Sequence, residues 1–286
     1  MEADKTSITA WGVAMARAAH VRFDPPPHVF DDSLAFELID PEFQAMIDMF
    51  GPSDRVDHQI YRNRPYLSYR QYYQEACLAR AYAEGARQFV ILGAGMDAYA
   101  FRQDPAMADV QIYEIDFPST QAVKQARIDA LGWTMPDNLH FVACDFEQDS
   151  LQGVLQQAGF DFDQISYFAW MGVTIYLEPA TVIETFRSVK ALAPSGSSIA
   201  FEYALPYDEL SGDDKASRDY SLAQKTREHE PFISYFSTEQ MHQQLTDLGY
   251  TRWEPLDHVM AAGQIADQRD DDLSIFFGFR LARAGW

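Results

Sequence analysis

Three small residues at fixed spacing follow a short apolar run and could let a ligand approach the backbone. Gly93, Gly95 and Ala98 occur in the stretch "FVILGAGMDA" and fit the pattern Gly-x-Gly-x-x-Gly/Ala. Glycine has no Cβ atom, so a ligand can touch the backbone of such a turn, and a helix that follows offers N–H groups. The pattern predicts a loop that binds a nucleotide-containing cofactor, although a strand–turn–helix corner without a ligand can have the same spacing.

Two carboxylates stand at the ends of the next two predicted strands, where they could bind the sugar and the base of such a cofactor. Asp116 ends the second strand, and Asp145 ends the third and is followed by Phe146. A carboxylate at the first position can accept from both ribose hydroxyls. The second carboxylate could accept from the exocyclic amine of adenine, with the Phe146 ring covering the base. As alternatives, Asp116 caps the helix that begins near Pro118, and Asp145 is a surface residue.

Asp97, inside the glycine loop, bears on the class of cofactor. A dinucleotide would place its pyrophosphate at this loop, where the carboxylate would repel it. S-adenosylmethionine has no phosphate and carries a sulfonium and an ammonium group, so an acidic loop suits it better. The loop therefore favours S-adenosylmethionine, while an NAD(P)-dependent oxidoreductase stays an alternative if Asp97 points away from the ligand.

A run of alternating strands and helices must position these residues. The strands are predicted from apolar runs at 89–93, 110–116, 139–145, 165–170 and 197–203. Apolar strands separated by helices indicate a parallel, doubly wound sheet with both faces covered. Two further strands are predicted within 250–257 and 272–283, joined by a long acidic loop. The pattern predicts an α/β fold with a seven-stranded sheet whose last strand is antiparallel.

The chain before this sheet is predicted to be helical. Residues 1–85 are expected to form an N-terminal helical cap, and residues 86–286 the cofactor-binding domain. The cap ends in a long helix with Pro65 in its first turn, a position that tolerates proline. Within the second domain, residues 205–236 are charged and dotted with Tyr and Phe, which predicts a helical insertion or lid.

The composition argues against several classes of partner. With 43 acidic and 22 basic residues the net charge is −21, so neither nucleic acid nor an anionic membrane surface is an expected partner. The cysteines, Cys77 and Cys144, form no metal-binding spacing with each other or with histidine, and no metal site is predicted. No segment resembles a signal peptide or a membrane span, so a cytoplasmic location is expected.

Four motifs in order resemble the leucine carboxyl methyltransferase-like family of S-adenosylmethionine-dependent O-methyltransferases. The motifs are "VILGAGMDAYAFR", "YEIDFPSTQAVKQARI", "CDF" and "WMGVTIYL", and the N-terminal segments resemble the helical cap of that family. The resemblance, closest to the bacterial small-molecule branch, implies a class I methyltransferase, Rossmann-like fold and S-adenosyl-L-methionine as cofactor. It also implies methyl transfer to a carboxyl or hydroxyl oxygen of a small molecule, with secondary metabolism as one setting.

The same resemblance implies a role for each candidate residue of the cofactor site. Gly93 and Gly95 would face the methionine part, Asp116 would bind the ribose, and Asp145 with Phe146 would frame the adenine.

Two further positions in the resemblance concern the amino-acid end of the cofactor. Arg70 matches an arginine that pairs with the methionine carboxylate, with Arg64 as the competing candidate. Met171 stands where leucine carboxyl methyltransferases carry an acid, which weakens the case for their protein substrate. Its backbone can still contact the ammonium group.

The methyl acceptor is expected over the ends of the fourth and fifth strands, beneath the cap and the insertion. Aromatic residues that could line this pocket are Tyr66, Tyr69, Trp170, Tyr176, Tyr207 and Tyr235. A carboxylate acceptor is already ionised and needs no base, so no catalytic residue is assigned. The candidate bases for a hydroxyl acceptor are His229, Tyr176, Tyr203 and Glu202. A non-catalytic cofactor-binding protein on the same fold stays a further alternative.

Overall fold

One seven-stranded sheet organises the chain. In the computed structural model, which describes residues 8–49, 59–146, 148–223, 231–269, 273, 275 and 278–286, its strands are β1 (Gln88–Leu92), β2 (Gln111–Asp116), β3 (Leu139–Ala143), β4 (Ser166–Trp170), β5 (Ser198–Ala204), β6 (Arg252–Pro255) and β7 (Phe279–Gly285). Their order is β3-β2-β1-β4-β5-β7-β6. β7 is antiparallel to β5 and β6, and the other neighbours are parallel. The predicted sheet with its antiparallel last strand is confirmed.

Helices precede the sheet and connect its strands. They are α1 (Ile8–Phe23), α2 (Ser33–Leu38), α3 (Pro41–Met49), α4 (Gln59–Ala83), α5 (Pro118–Leu131), α6 (Leu151–Gln157), α7 (Pro179–Leu192), α8 (Gly212–Ala223), α9 (Thr238–Asp247) and α10 (His258–Asp267). A capping box begins α9, with Ser237 and Gln240 each bonded to the other's backbone.

Pro65 lies inside α4, so its predicted place in the first turn was wrong. The helix already begins at Gln59, and the proline ring is buried, which offsets part of the cost of the missing N–H bond.

The last connection of the sheet also differs from the prediction. The stretch between β6 and β7 holds α10 in place of a long loop, because the Asp257 side chain accepts from the backbone N–H groups of Val259 and Met260 and caps the helix. β7 begins at Phe279, whereas the strand was predicted to span 272–283. In the first part of that range the structure describes residues 273, 275 and 278.

Both faces of the sheet are buried, as alternation along β1 shows. Val90 and Leu92 pack into a core shared with α6, α7 and α9, whereas Phe89 and Ile91 pack against α4. A third core joins α1 and α2 to the glycine loop through Met96. The helices before β1 therefore cover the carboxyl end of the sheet, and the division at residue 85 into two domains stays a prediction.

The predicted insertion at 205–236 contains α8 and a single 3-10 turn at Tyr207–Glu209, and residues 224–230 lie outside the described part. Its function as a lid stays a prediction. In the described ranges, no helix is long and apolar enough to cross a membrane. The same ranges contain no group of three or more His, Cys, Asp or Glu residues that could hold a metal ion.

A buried ion pair fixes α5 to β2 of the sheet. Lys124 of α5 donates to the carboxylate of Glu114 on β2, and both side chains are 1% exposed. Burial raises the pKa of Glu114 to about 7, although Lys124 acts in the opposite direction. Because this folded-state pKa is raised, ionisation of Glu114 lowers the stability of the fold as the pH rises from the ordinary glutamate range towards 7.

We predict that Lys124→Met at pH 8 lowers the free energy of unfolding by about 3–5 kcal/mol, because an unpaired carboxylate stays buried. The loss should shrink at pH 5, where Glu114 is protonated, and Lys124→Met/Glu114→Leu should recover most of it. Urea unfolding measures these values. Arg187→Met, which breaks an exposed pair with Glu184, is the control and should cost less than about 1 kcal/mol. Equal small losses in both single variants would contradict the prediction.

Candidate cofactor site

A cavity of about 510 Å³ opens at the carboxyl ends of β1, β2, β3 and β4. This volume is typical of small-molecule sites, and in doubly wound sheets ligands bind where the strand order reverses, here between β1 and β4. The structure brings all seven residues predicted for the cofactor site to this cavity: Arg70, Gly93, Gly95, Asp116, Asp145, Phe146 and Met171.

The glycine loop needs its glycines for two physical reasons. Gly93 and Gly95 have φ values of 77° and 50°, a region that side chains disfavour. A Cβ atom on Gly93 would also lie 2.5 Å from Cγ2 of Val173, and one on Gly95 would lie 3.3 Å from Cβ of Ala10. The loop therefore packs directly against the segment after β4 and against α1, and it exposes its backbone to the cavity.

Asp116 at the end of β2 is held by the backbone. Its Oδ2 accepts from the N–H of Gly95 at 2.5 Å, and its Oδ1 accepts from the N–H of Phe117 at 2.7 Å. Burial raises the pKa of Asp116, and these two N–H groups limit the rise. A carboxylate has about four acceptor positions, so the two backbone bonds leave capacity for two hydroxyl groups.

Asp97 borders the same cavity but turns its carboxylate into the protein. Oδ2 accepts from the side-chain amides of Gln71 and Gln74 at 2.9 and 2.8 Å, and Oδ1 accepts from the Tyr99 N–H at 2.7 Å. Burial alone would raise the pKa of Asp97, but nearby cations, Arg102 foremost, hold it below its ordinary value. The carboxylate thus points away from the cavity and is compensated by nearby cations, so Asp97 does not by itself decide between a dinucleotide and a cofactor without phosphate.

Further ion pairs connect this loop to the N-terminal helices. Arg102 donates to both oxygens of Glu75 on α4 at 2.6 and 2.5 Å and to Asp32 at 3.2 Å. Arg17 of α1 donates to Asp32 at 2.7 Å and to the Met96 carbonyl at 2.9 Å. Because these partners are far apart in sequence, their spacing gave no sign of the network.

Arg70 lies at the opposite wall of the cavity. Its Nη1 donates to Oε2 of Glu202 on β5 at 2.8 Å. Its guanidinium rests on Gly172, where a Cβ atom would lie 2.7 Å from Nη1. The competing candidate, Arg64, is not part of the cavity wall and donates to both carboxylate oxygens of Asp24 at 2.7 and 2.6 Å. Geometry therefore favours Arg70 over Arg64 as an arginine of the cavity wall.

Comparison with known proteins identifies the family of this chain. The model of the leucine carboxyl methyltransferase family matches residues 10–190. The chain belongs to the leucine carboxyl methyltransferase family.

Similar proteins that align with most of the chain support this family, and their names state the cofactor. A protein of Bacillus subtilis (strain 168) named "Putative S-adenosyl-L-methionine-dependent methyltransferase YktD" is 29% identical, over 96% of each chain. A protein of Saccharopolyspora erythraea with the same description is 33% identical, over 72% of this chain and 71% of its own. The cofactor of this leucine carboxyl methyltransferase family member is S-adenosyl-L-methionine.

Solved structures support the fold. A "putative methyltransferase" from Thermobifida fusca YX aligns with a TM-score of 0.59 at 13% identity, covering 99% of this chain and 96% of its own. A DUF574 family protein from Streptomyces avermitilis aligns with a TM-score of 0.56 at 13% identity, covering 94% and 96%. The fold is that of the class I methyltransferases. The family match and the S-adenosyl-L-methionine-dependent relatives give no support to the alternative of an NAD(P)-dependent oxidoreductase.

The residues of the cavity fit S-adenosyl-L-methionine. The loop offers backbone at Gly93 and Gly95, Asp116 keeps acceptor capacity for a ribose, and the charge of Asp97 is compatible with a cofactor that has no phosphate. Asp145 and Phe146 are half-buried at the β3 side of the cavity, and Oδ2 of Asp145 accepts from Gln148 at 2.9 Å.

Most of the aromatic residues predicted for the acceptor pocket lie elsewhere. Of the six, Tyr176 lines the cavity. Trp170 packs on Phe186 in the core because strand alternation directs its side chain to the sheet face that α7 covers. Tyr66 and Tyr69 are buried between α4 and the C-terminal segment. Tyr207 is exposed and donates to Asp219, and Tyr235 donates to the Phe232 carbonyl.

The candidate bases also differ in their distance from the cavity. Tyr176 reaches the cavity, but Tyr203 is buried and its hydroxyl bonds to Thr238. Glu202 is buried behind Arg70, and His229 lies outside the described residues. The sequence reasoning also missed lining residues that lack a local motif, among them Ala10, Val13, Arg17, Gln71, Gln74, Thr120, Leu177, Pro231 and Ile233.

We predict that Gly93→Ala weakens binding of S-adenosylhomocysteine at least about tenfold, because the positive φ and the contact with Val173 force the loop to shift. Gly132→Ala is the matched control, since Gly132 has a φ of 66° but no atom within 4 Å of a Cβ position. Both variants should lose stability, and isothermal titration should show weaker binding in the first alone. Equal affinities in the two variants would show that the close approach is unimportant.

Proposed function

We propose that the protein transfers the methyl group of S-adenosyl-L-methionine to a carboxyl or hydroxyl oxygen of a small molecule. The observation that carries this proposal is a set of mainly apolar side chains that line the cavity outside the glycine loop. These are Val13, Met171, Tyr176, Leu177, Pro231 and Ile233. Such a wall suits a small organic acceptor with apolar surface.

We assign to each site residue the role that the family resemblance implies. Gly93 and Gly95 would approach the methionine part of the cofactor, and Asp116 would bind the ribose. Asp145 and Phe146 would frame the adenine. In this assignment Arg70 binds the methionine carboxylate, and the backbone at Met171 contacts the ammonium group.

The proposed chemistry needs alignment more than proton transfer. When bound, S-adenosyl-L-methionine supplies an electrophilic methyl group whose sulfur leaves as a neutral thioether. Among the described residues of the wall, the carboxylates of Asp97, Asp116 and Asp145 are bonded to protein donors. They are poor bases for the acceptor, so an acceptor that arrives ionised, a carboxylate or an acidic hydroxyl, fits best. The apolar wall then orients it and excludes water.

The activity is tested with a panel of small carboxylic acids, phenols and amines and S-adenosyl-L-methionine, with S-adenosylhomocysteine release as the readout. We expect turnover with an oxygen acceptor. For a carboxylic acid, kcat/KM should be flat above the acid's own pKa, and for a phenol it should rise with pH through the phenol's pKa. Turnover of amines alone, or cofactor binding with no turnover of any acceptor, would contradict the proposal.

We predict that Asp116→Ala weakens binding of S-adenosylhomocysteine by about 10- to 100-fold, because hydrogen bonds to a charged group contribute about 1.5–3 kcal/mol. The fold should persist, since the sheet does not depend on this side chain, and thermal unfolding checks this. Asp129→Ala, on the exposed face of α5, is the control and should bind as the parent does. Parent-like affinity of Asp116→Ala would mean that the ribose is bound elsewhere.

A further inference from the structure

A buried polar cluster lies directly behind Arg70 and does not border the cavity itself. It consists of Glu202 on β5, which is 1% exposed, and Tyr66 on α4, which is 4% exposed. The Tyr66 hydroxyl donates to Oε1 of Glu202, and Nη1 of Arg70 donates to Oε2. Both oxygens of one buried carboxylate are therefore used by two side chains one helical turn apart on α4.

The electrostatics of this cluster keep Tyr66 protonated and Arg70 charged. Burial and the negative charge of Glu202 hold the pKa of Tyr66 well above its ordinary value, so its hydroxyl stays a donor. Burial would lower the pKa of Arg70, but Glu202 outweighs this effect and raises it, so the guanidinium stays charged. Tyr66 is further fixed by stacking on Phe279 at a centroid distance of 5.7 Å. The carboxylate thus has a defined position and can orient its partners.

Arg70 is restrained on a second side by Gly172. A Cβ atom on this residue would lie 2.7 Å from Nη1 and 3.2 Å from both Cζ and Nη2, so the absence of a side chain lets the guanidinium lie against the backbone. Nη1 is taken by Glu202. Within the described residues, Nε and Nη2 have no hydrogen-bond partner, and Arg70 is part of the cavity wall.

We infer that Glu202, supported by Tyr66, is a positioning residue that fixes Arg70 so that its remaining donors serve the amino-acid carboxylate of the cofactor. This inference rests on the proposed role of Arg70 in cofactor binding. Glu202 is not among the lining residues of the cavity and so would touch neither the cofactor nor the acceptor. It acts on one part of the cofactor, the amino-acid end, and leaves the adenosine contacts at Asp116 and Asp145 unchanged.

The test compares two ligands by isothermal titration. S-adenosylhomocysteine carries the amino-acid carboxylate, and 5′-methylthioadenosine keeps the adenosine and the sulfur but lacks that end. Glu202→Gln retains the side-chain shape but removes the negative charge that pairs with Arg70. We expect it to weaken S-adenosylhomocysteine binding about 10- to 100-fold, while 5′-methylthioadenosine binding changes by less than about twofold.

Two further variants keep the result interpretable. Tyr66→Phe leaves the carboxylate in place and should show the same selectivity with a smaller effect, and it serves if Glu202→Gln does not fold. Glu84→Gln is the control, because it removes a carboxylate from the arginine pairs with Arg252 and Arg283 at the other end of α4. It should leave the affinity for both ligands unchanged.

Parent-like binding of S-adenosylhomocysteine by Glu202→Gln and Tyr66→Phe would overturn the inference. So would an equal loss for both ligands, which would assign Glu202 to the fold alone. A parent protein that binds 5′-methylthioadenosine as tightly as S-adenosylhomocysteine would overturn the role of Arg70 and this inference with it. A parent protein that binds neither ligand would instead refute the proposed function itself.

Discussion

The site depends on a negative charge buried inside its own glycine loop. Asp97 would be costly in this position without partners, since burying an unpaired carboxylate is strongly unfavourable. α4 supplies the partners, Gln71 and Gln74, and the ion pairs of Arg102 and Arg17 surround them. The docking of the N-terminal helices on the sheet therefore stabilises the conformation of the loop. Cofactor binding and the packing of these helices are thus one property of the fold.

α4 has a central place in this arrangement. Its middle turns hold Asp97 and carry Arg70, which pairs with β5, and its last turns pack against β1. One rigid helix thus connects the loop after β1, the backbone after β4 and the side chain of Glu202 on β5.

The fold and the position of the cofactor site could largely be predicted from the sequence. Short apolar runs separated by helices predicted the sheet. Gly93, Asp116 and Asp145 each follow or end a strand, so parallel topology predicts that they meet at the same edge of the sheet. Contacts between distant segments could not be predicted this way. The pairing of Arg70 with Glu202 joins residues 132 positions apart, and the helix α10 depends on a cap at Asp257 in an otherwise weakly helical, glycine-containing stretch. Aromatic residue type alone could not distinguish the core position of Trp170 from the wall position of Tyr176.

The central claim is that this cavity orients S-adenosyl-L-methionine, with its ribose at β2 and its amino-acid end at Arg70. A crystal structure of the complex with S-adenosylhomocysteine tests it most directly. The account predicts both ribose hydroxyls within hydrogen-bond distance of Asp116 and the carboxylate within hydrogen-bond distance of Nη2 or Nε of Arg70, with the sulfur open towards Tyr176. A ligand bound in the reverse orientation, or outside this cavity, would contradict the account.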